Sequence, residues 1–352
     1  MKKVLFLLVA MTAFYCHAQT DVSTFFTGAG EGITYSLPDT RVEVTFEATC
    51  IKRIPGEFSR YAERYLRIKN AIDKAESYWE LNGATLGTSG APCPDKMFTV
   101  KLNGSTASNI TLDDQGIIAA INTTVETPEA AAPATSHGSN HLDASMYMTE
   151  EMLQATSTAK MAELAAKEIY AIRESKLAIT RGQSENMPND GHAMQLVLDE
   201  LEKQEKALME LFVGYTDTLK HEMRIAIEPI DNGDVTKTVL IRFSRKLGFL
   251  DKDNLAGEPV YYSIKDLKSV KRPTTGDTEK KKPLKKEGIC YNIPGKAEVE
   301  VYTRARKLIK DEISIAQFGT TEVLSKNLFN RNNATKVLFD TATGGIISIE
   351  KK

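Results

Sequence analysis

The sequence predicts an α+β fold: two related β-rich domains with a long antiparallel helical hairpin inserted between them. Three observations carry that expectation. ITYSLPDTRVEVTF from Ile33 and ICYNIPGKAEVEVY from Ile289 are near-copies of one another. Each alternates apolar and polar residues with the period of a half-buried strand. Between them, from about Thr149 to Met223, apolar residues recur with the period of a helix face.

The N-terminus reads as a secretory signal peptide over residues 1–18. Lys2 and Lys3 precede the apolar run VLFLLVAMTAF, and YCHA ends in a small residue. Cleavage is expected after Ala18, leaving an exported chain, periplasmic or associated with the outer membrane. The full chain carries 45 Lys and Arg against 47 Asp and Glu; losing Lys2 and Lys3 leaves 43 against 47, a net of −4. A mildly acidic surface of mixed sign gives no pull toward nucleic acid. No later stretch is apolar for long enough to span a bilayer.

Residues 19–126 read as the first β-rich domain. In RVEVTFEAT, Val42, Val44 and Phe46 alternate with Arg41, Glu43 and Thr45, and KMFTVKL and NITL continue the pattern. GEFSRYAERYL interrupts it with Phe58, Tyr61 and Tyr65 at helical spacing. Residues 127–147, rich in Ala, Pro, Thr and Ser, read as a linker. Residues 148–224 read as the helical hairpin, two helices of roughly 30 residues and some 45 Å each at about 1.5 Å per residue. Asp190 is the expected N-cap of the second helix. Residues 225–352 read as the second β-rich domain, holding a basic loop at 268–288 that is too polar to order itself.

The two near-copies align without gaps through Tyr35 and Tyr291 to Pro38 and Pro294. Beyond the prolines one residue must be inserted, so a bulge is expected there. The closing runs ITLDDQGIIAAI and VLFDTATGGIISI also correspond in kind. Internal duplication accounts for both matches in the same order.

The stretches IYAIRESKLAITRGQSENMPNDGHAMQLVLDELEKQEKALMELFVG, FSRKLGFLDKDNLAGEPVYY and TGGIISI carry a wider likeness. Through them the chain resembles a family of exported Bacteroidetes proteins classed only as a domain of unknown function. The resemblance implies compartment and architecture, and it brings no catalytic residues.

Residues able to do chemistry are sparse. His137 and His141 have HxxxH spacing in a Gly- and Ser-rich linker, without an acidic partner in register. No G-x-S-x-G elbow, P-loop or G-x-G-x-x-G after a strand is present, so no catalytic, cofactor-binding or metal-binding residue is assigned. The helix carboxylates, among them Glu163, Glu202 and Glu205, interleave with lysines as a solvated face does. In an oxidising compartment Cys50 and Cys93 are the natural pair for one disulfide, with free buried thiols the other reading. Asp217–Leu219 and Asp340–Ala342 resemble a short sequon for O-glycosylation at Thr218 and Thr341 in exported proteins of that bacterial group.

The expected function is a non-enzymatic structural or binding module of the cell envelope, with the hairpin facing a partner through Met161, Ile169, Leu198, Phe212 and Tyr215. The partner is expected to be an envelope protein or a second copy, with glycan contact open and nucleic acid excluded. The alternative is a periplasmic hydrolase or glycan-active enzyme whose site is assembled from distant loops.

Overall fold

The computed structural model describes residues 33–100, 109–125, 141–183, 190–229, 233–271, 288–325, 328 and 335–351. The expected signal peptide at 1–18, most of the linker and all but the ends of the basic loop lie outside the described residues. Among those described, no helix is long and apolar enough to cross a membrane.

Strand β1 (Ile33–Ile54) forms a long antiparallel hairpin with β2 (Glu76–Val100). Its inward positions Val42, Val44, Phe46, Ala48 and Cys50 are buried, and the residues between them are more exposed. Strand β5 (Tyr215–Ile227) pairs along the other edge of β1, completing a three-stranded sheet in the order β2-β1-β5. A second sheet follows the order β10-β9-β8-β6-β7. Its strands are β6 (Val235–Ser244), β7 (Gly248–Leu250), β8 (Glu258–Asp266), β9 (Gly288–Tyr302) and β10 (Lys307–Ser325). The two sheets face each other across a core built from Val42, Val44 and Phe46 on one side and Val260, Val299, Val301 and Phe318 on the other. Because sheet faces alternate with period two, each V-E-V run places its valines in this core and its glutamate outside.

The short strands β3 (Ile110–Leu112), β4 (Ile118–Ile121), β11 (Lys336–Phe339) and β12 (Ile346–Glu350) form one four-stranded sheet in the order β12-β11-β4-β3. It covers a further core of Tyr35, Leu37, Ile118, Ile121, Ile289, Val337 and Phe339. The β-rich class and the helical pair between two strand regions therefore match expectation. The two regions do not keep separate cores, however: strands from both line the same two interiors.

The repeated stretches occupy matching places. Opposite Leu37, β2 bulges out Cys93–Lys96, because Ser36 pairs with Met97 and Pro38 with Pro92. Opposite Pro294, β10 bulges out Ala316–Gly319, because Ile293 pairs with Thr320 and Gly295 with Ile315. Proline has no N–H for a ladder, and the breaks fall at Leu37, just before Pro38, and at Pro294. Ser36 N donates to Gly116 O at 2.9 Å, and Asn292 N donates to Gly344 O at 3.0 Å. Gly116 and Gly344 are both left-handed, at φ 80° and 72°.

A buried polar junction joins the two halves. Thr40 Oγ1 donates to Ala342 O at 3.0 Å and accepts from Ala316 N at 2.9 Å. Gln317 completes the contact, accepting from Thr40 N and donating to Thr40 O, both at 3.0 Å. Asn292 Nδ2 donates to Pro38 O at 3.1 Å and Thr343 O at 2.9 Å, while its Oδ1 accepts from Thr321 Oγ1. Tyr35 OH donates to Cys290 O and accepts from Cys290 N.

Removing a side chain from such a junction strands its buried partners, at about 1–3 kcal/mol for each. Thr40→Val keeps the shape and orphans Ala342 O and Ala316 N. It is expected to lower unfolding free energy by about 2–4 kcal/mol in urea titrations, whereas a loss under ~0.5 kcal/mol would mean the junction is solvated.

Candidate functional site

The helical pair was the expected partner surface, and its geometry assigns most of that apolar face elsewhere. Short helices α1 (Ala62–Leu66) and α2 (Glu150–Leu153) pack beside α3 (Thr158–Thr180) and α4 (Gly191–Val213). Ser157 caps α3 by accepting from Lys160 N, and Asp190 caps α4 by accepting from Ala193 N at 2.7 Å, as its sequence position implied. Each long helix has 23 residues, about 34 Å at 1.5 Å per residue. The second helix was expected to continue to Met223. It stops at Val213 because Gly214, at φ 75°, turns the chain into β5.

Ile169 and Phe212 are fully buried against Phe58, Ala62 and Leu66, so they form an internal core and are unavailable as a partner face. Met161 and Leu198 are half-buried, Met161 against that same core. Tyr215 lies on β5 with the His141 ring stacked on it at 3.9 Å. His141 Nδ1 also lies 2.7 Å from Glu210 Oε2, which ties the end of the linker to the end of α4. Phe58 N donates to Leu211 O at 2.7 Å, and Tyr170 OH donates to Tyr65 O at 3.0 Å, closing the clamp. Within the pair, burial pushes the Glu205 carboxyl up. Hydrogen bonds and charge from Lys176 and Arg173 outweigh that and hold it below the usual carboxylate range.

The exposed geometry converges instead on FSRKLGFLDKDNLAGEPVYY, residues 243–262. This segment runs from the end of β6 through β7 into β8, and one side chain fixes its loop. Arg242 Nε donates to Lys252 O at 2.7 Å and Nη1 donates to Gly257 O at 3.1 Å. Asn254 adds a turn, its N–H on Asp251 O and its Oδ1 on Ala256 N, each at 3.0 Å. Trp79 N donates to Arg245 O at 2.7 Å, stitching the two sheets together at this end. Gly248, at φ 78°, lies flat under the indole: a Cβ there would fall 2.9 Å from two of its ring atoms. The pinned loop holds Leu247 58% and Leu255 82% exposed.

Two open clefts flank this segment. One, of about 600 Å³, has Met223, Ile225, Leu240 and Ile241 as its floor and Asp251–Asn254 as its rim. The other, of about 530 Å³, is lined by Trp79, Glu80, Phe243, Ser244, Arg245, Ala256 and Glu258. His221 packs its ring 4.7 Å from that of Trp79, and Arg245 lies over Tyr78. Aromatic surface, a guanidinium and two carboxylates give the second cleft both stacking and paired hydrogen-bonding capacity.

A family model described as a domain of unknown function (DUF4831) matches residues 31–347. The chain belongs to this family. No curated protein and no solved structure matches it. The matched DUF4831 span takes in both sheets, the helical pair and the 243–262 segment.

Within the DUF4831 fold, the remaining sequence-selected residues stay apart. Cys50 and Cys93 are buried and not joined to each other, which corrects the Cys50–Cys93 disulfide, and Cys290 is buried as well. In the β1–β2 ladder, Cys50 stands opposite Trp79, while Cys93 lies in the bulge next to the Pro38–Pro92 pair. That separation is about 40 Å at 3.3 Å per strand residue, far beyond disulfide reach. Burial pushes the Cys93 thiol up and neighbouring Asp39 adds to the shift, so this cysteine is a poor nucleophile. Thr218 lies on β5 opposite Ile51, and Thr341 is half-buried in the turn between β11 and β12. Of HxxxH, His137 lies outside the described residues. Among the described residues, no cluster of three or more His, Cys, Asp or Glu is placed to hold a metal ion.

Residues 243–262 escaped functional reading because Leu247 and Leu255 look like ordinary loop hydrophobes. The one available signal was Gly248 and Gly257 bracketing a charged turn.

Three outcomes follow. Ellman's reagent is expected to find no reactive thiol among Cys50, Cys93 and Cys290 in the native protein and all three after denaturation; finding a single thiol would restore the disulfide. Gly248→Ala is expected to cost about 2–4 kcal/mol, through strain and overlap with Trp79. It should also shift the emission of the chain's single tryptophan. Gly116→Ala, at φ 80° with nothing within 4 Å, should cost about 1 kcal/mol.

Proposed function

We propose that the protein is a non-enzymatic binding module of the cell envelope, exported by its N-terminal leader. Its partner-facing surface is the 245–257 loop together with the Trp79 cleft. One observation carries this reading: a loop fixed by Arg242 at two carbonyls holds Leu255 82% exposed beside an open cleft. A rigid apolar contact loses little entropy on binding, which is how pre-organised surfaces gain affinity. The helical pair acts as a brace on this reading, because its seam is occupied by residues 58–66.

The scaffold beneath is proposed to be one unit duplicated. Support comes from the order of a long hairpin followed by a short one in both halves, and from the four-residue bulges Cys93–Lys96 and Ala316–Gly319. The paired contacts Ser36–Gly116 and Asn292–Gly344 add to it.

A photoreactive residue placed at position 255 and irradiated in intact envelopes tests the surface, with position 196 on α4 as the comparison. Leu196 is itself 58% exposed. Adducts are expected from position 255, and Leu247→Asp should reduce their yield at least several-fold. Adducts from 196 with none from 255 would return the partner surface to the helical pair and overturn the loop reading.

A further inference from the structure

We infer that two copies of the chain associate through β5, edge to edge and antiparallel, about a two-fold axis at Met223. This goes beyond the loop reading and uses the other cleft. Among the described residues β5 pairs with β1 alone, and its register with β1 runs from Val42–Ile227 to Ile54–Tyr215 without a break. It contains no proline. Its outer edge is therefore a straight row of backbone donors and acceptors, a feature that folded proteins cover, blunt or pair.

The side chains of β5 select the mode of pairing. Met223 stands opposite buried Phe46 and Ile225 opposite buried Val44, so the odd-numbered residues face the core. Lys220, Glu222 and Arg224 stand on the outer face in the order plus, minus, plus. Opposed residues in an antiparallel pair project from the same face, so the two copies can shift only by whole two-residue steps. An axis at Glu222 sets glutamate against glutamate and Lys220 against Arg224. An axis at Met223 sets Glu222 against Arg224 of the second copy, twice. An axis at His221 also pairs opposite charges, but it sets Asp217 against Ile225 on the inner face. Met223 alone combines opposed charges with an inner face free of carboxylates, setting Met223 on Met223, Leu219 on Ile227 and His221 on Ile225.

The cleft agrees with this axis. Met223 and Ile225 of β5, with Leu240 and Ile241 of β6, line an open cleft of about 600 Å³. Pairing at Met223 centres the second copy on that opening and joins two three-stranded sheets into one. Arg224 is free to take a new partner: its ion pair with Glu43 is 3.7 Å long and its side chain is 69% exposed.

Sedimentation of the purified chain over a concentration series tests the inference. The unaltered chain is expected to dimerise. Glu222→Arg and Arg224→Glu, each alone, should weaken the dimer at least tenfold, since like charges then meet across the axis. Mixed in equal amounts, the two single variants should dimerise with each other, and the double variant E222R/R224E should dimerise alone. That rescue separates charge pairing from misfolding. A chain that stays monomeric at several hundred micromolar overturns the inference, and so do single variants that associate like the parent. Loss with Glu222→Arg but not with Arg224→Glu places the axis at His221 and overturns the Met223 register. A failed dimer leaves the adducts at position 255 unaffected, so the two readings fail separately.

Discussion

Thr40 and Asn292 are the point through which the two halves of the fold hold each other. Both are buried, and their side chains join β1 to β9, β10 and the 340–345 turn through hydrogen bonds. An interior of this kind tolerates one arrangement, because any slip leaves several backbone groups without partners. The proline-marked bulges provide the groups involved: breaking the ladder beside Pro38 and Pro294 frees carbonyls and N–H groups that the opposite half then satisfies. The junction also fixes the relative position of the V-E-V runs, and with it the sandwich core.

From that centre β1 runs on to Ile54, opposite Tyr215. Toward that end, the connection after β1 folds over the helical pair and binds its last turn, so the helices are tethered by Phe58, Ile72 and His141 together. On the same side of the junction Trp79 stands opposite Cys50, close to Ile54, and its N–H on Arg245 O ties the 243–262 segment to β2. Closure by one loop on a three-stranded sheet leaves a cleft on each side and, among the described residues, an edge of β5 without a neighbouring strand. The exposed features thus follow from a mismatch in sheet width, three strands facing five.

Much of this was legible locally. Alternation marked β1 and β9, and the Asp190 cap marked the start of α4. The bulge expected beyond the prolines in one copy is absent: the pairing runs unbroken from Pro38 to Glu47 and from Gly295 to Val301, and the breaks lie on β2 and β10. Other readings failed for definite reasons. Phe212, Tyr215 and Leu219 keep helical spacing, yet 215, 217, 219 and 221 also suit a strand, and only the left-handed Gly214 decides where one period ends. Cys50 and Cys93 are both N-terminal, but a long hairpin sends them to distant rungs of one ladder. Ile169 and Phe212 have the apolar periodicity of any buried face, which does not say whether the covering surface belongs to the same chain. The candidate surface was harder still, since Leu255 gains its meaning only from the guanidinium that fixes its loop.

By itself the sequence determined the periods: which residues alternate, which recur as a helix face, and that one stretch is written twice. These are properties of neighbours within a few residues, set by strand and helix geometry. Tertiary structure decided the rest, because pairing Val42 with Ile227, or Val337 with Ile121, depends on contacts across most of the chain. Alternation specifies which face of a strand is buried and leaves open which strand lies beside it. The two similar stretches could each have closed a domain of their own. They share their cores because the groups released at each bulge find their partners in the other half.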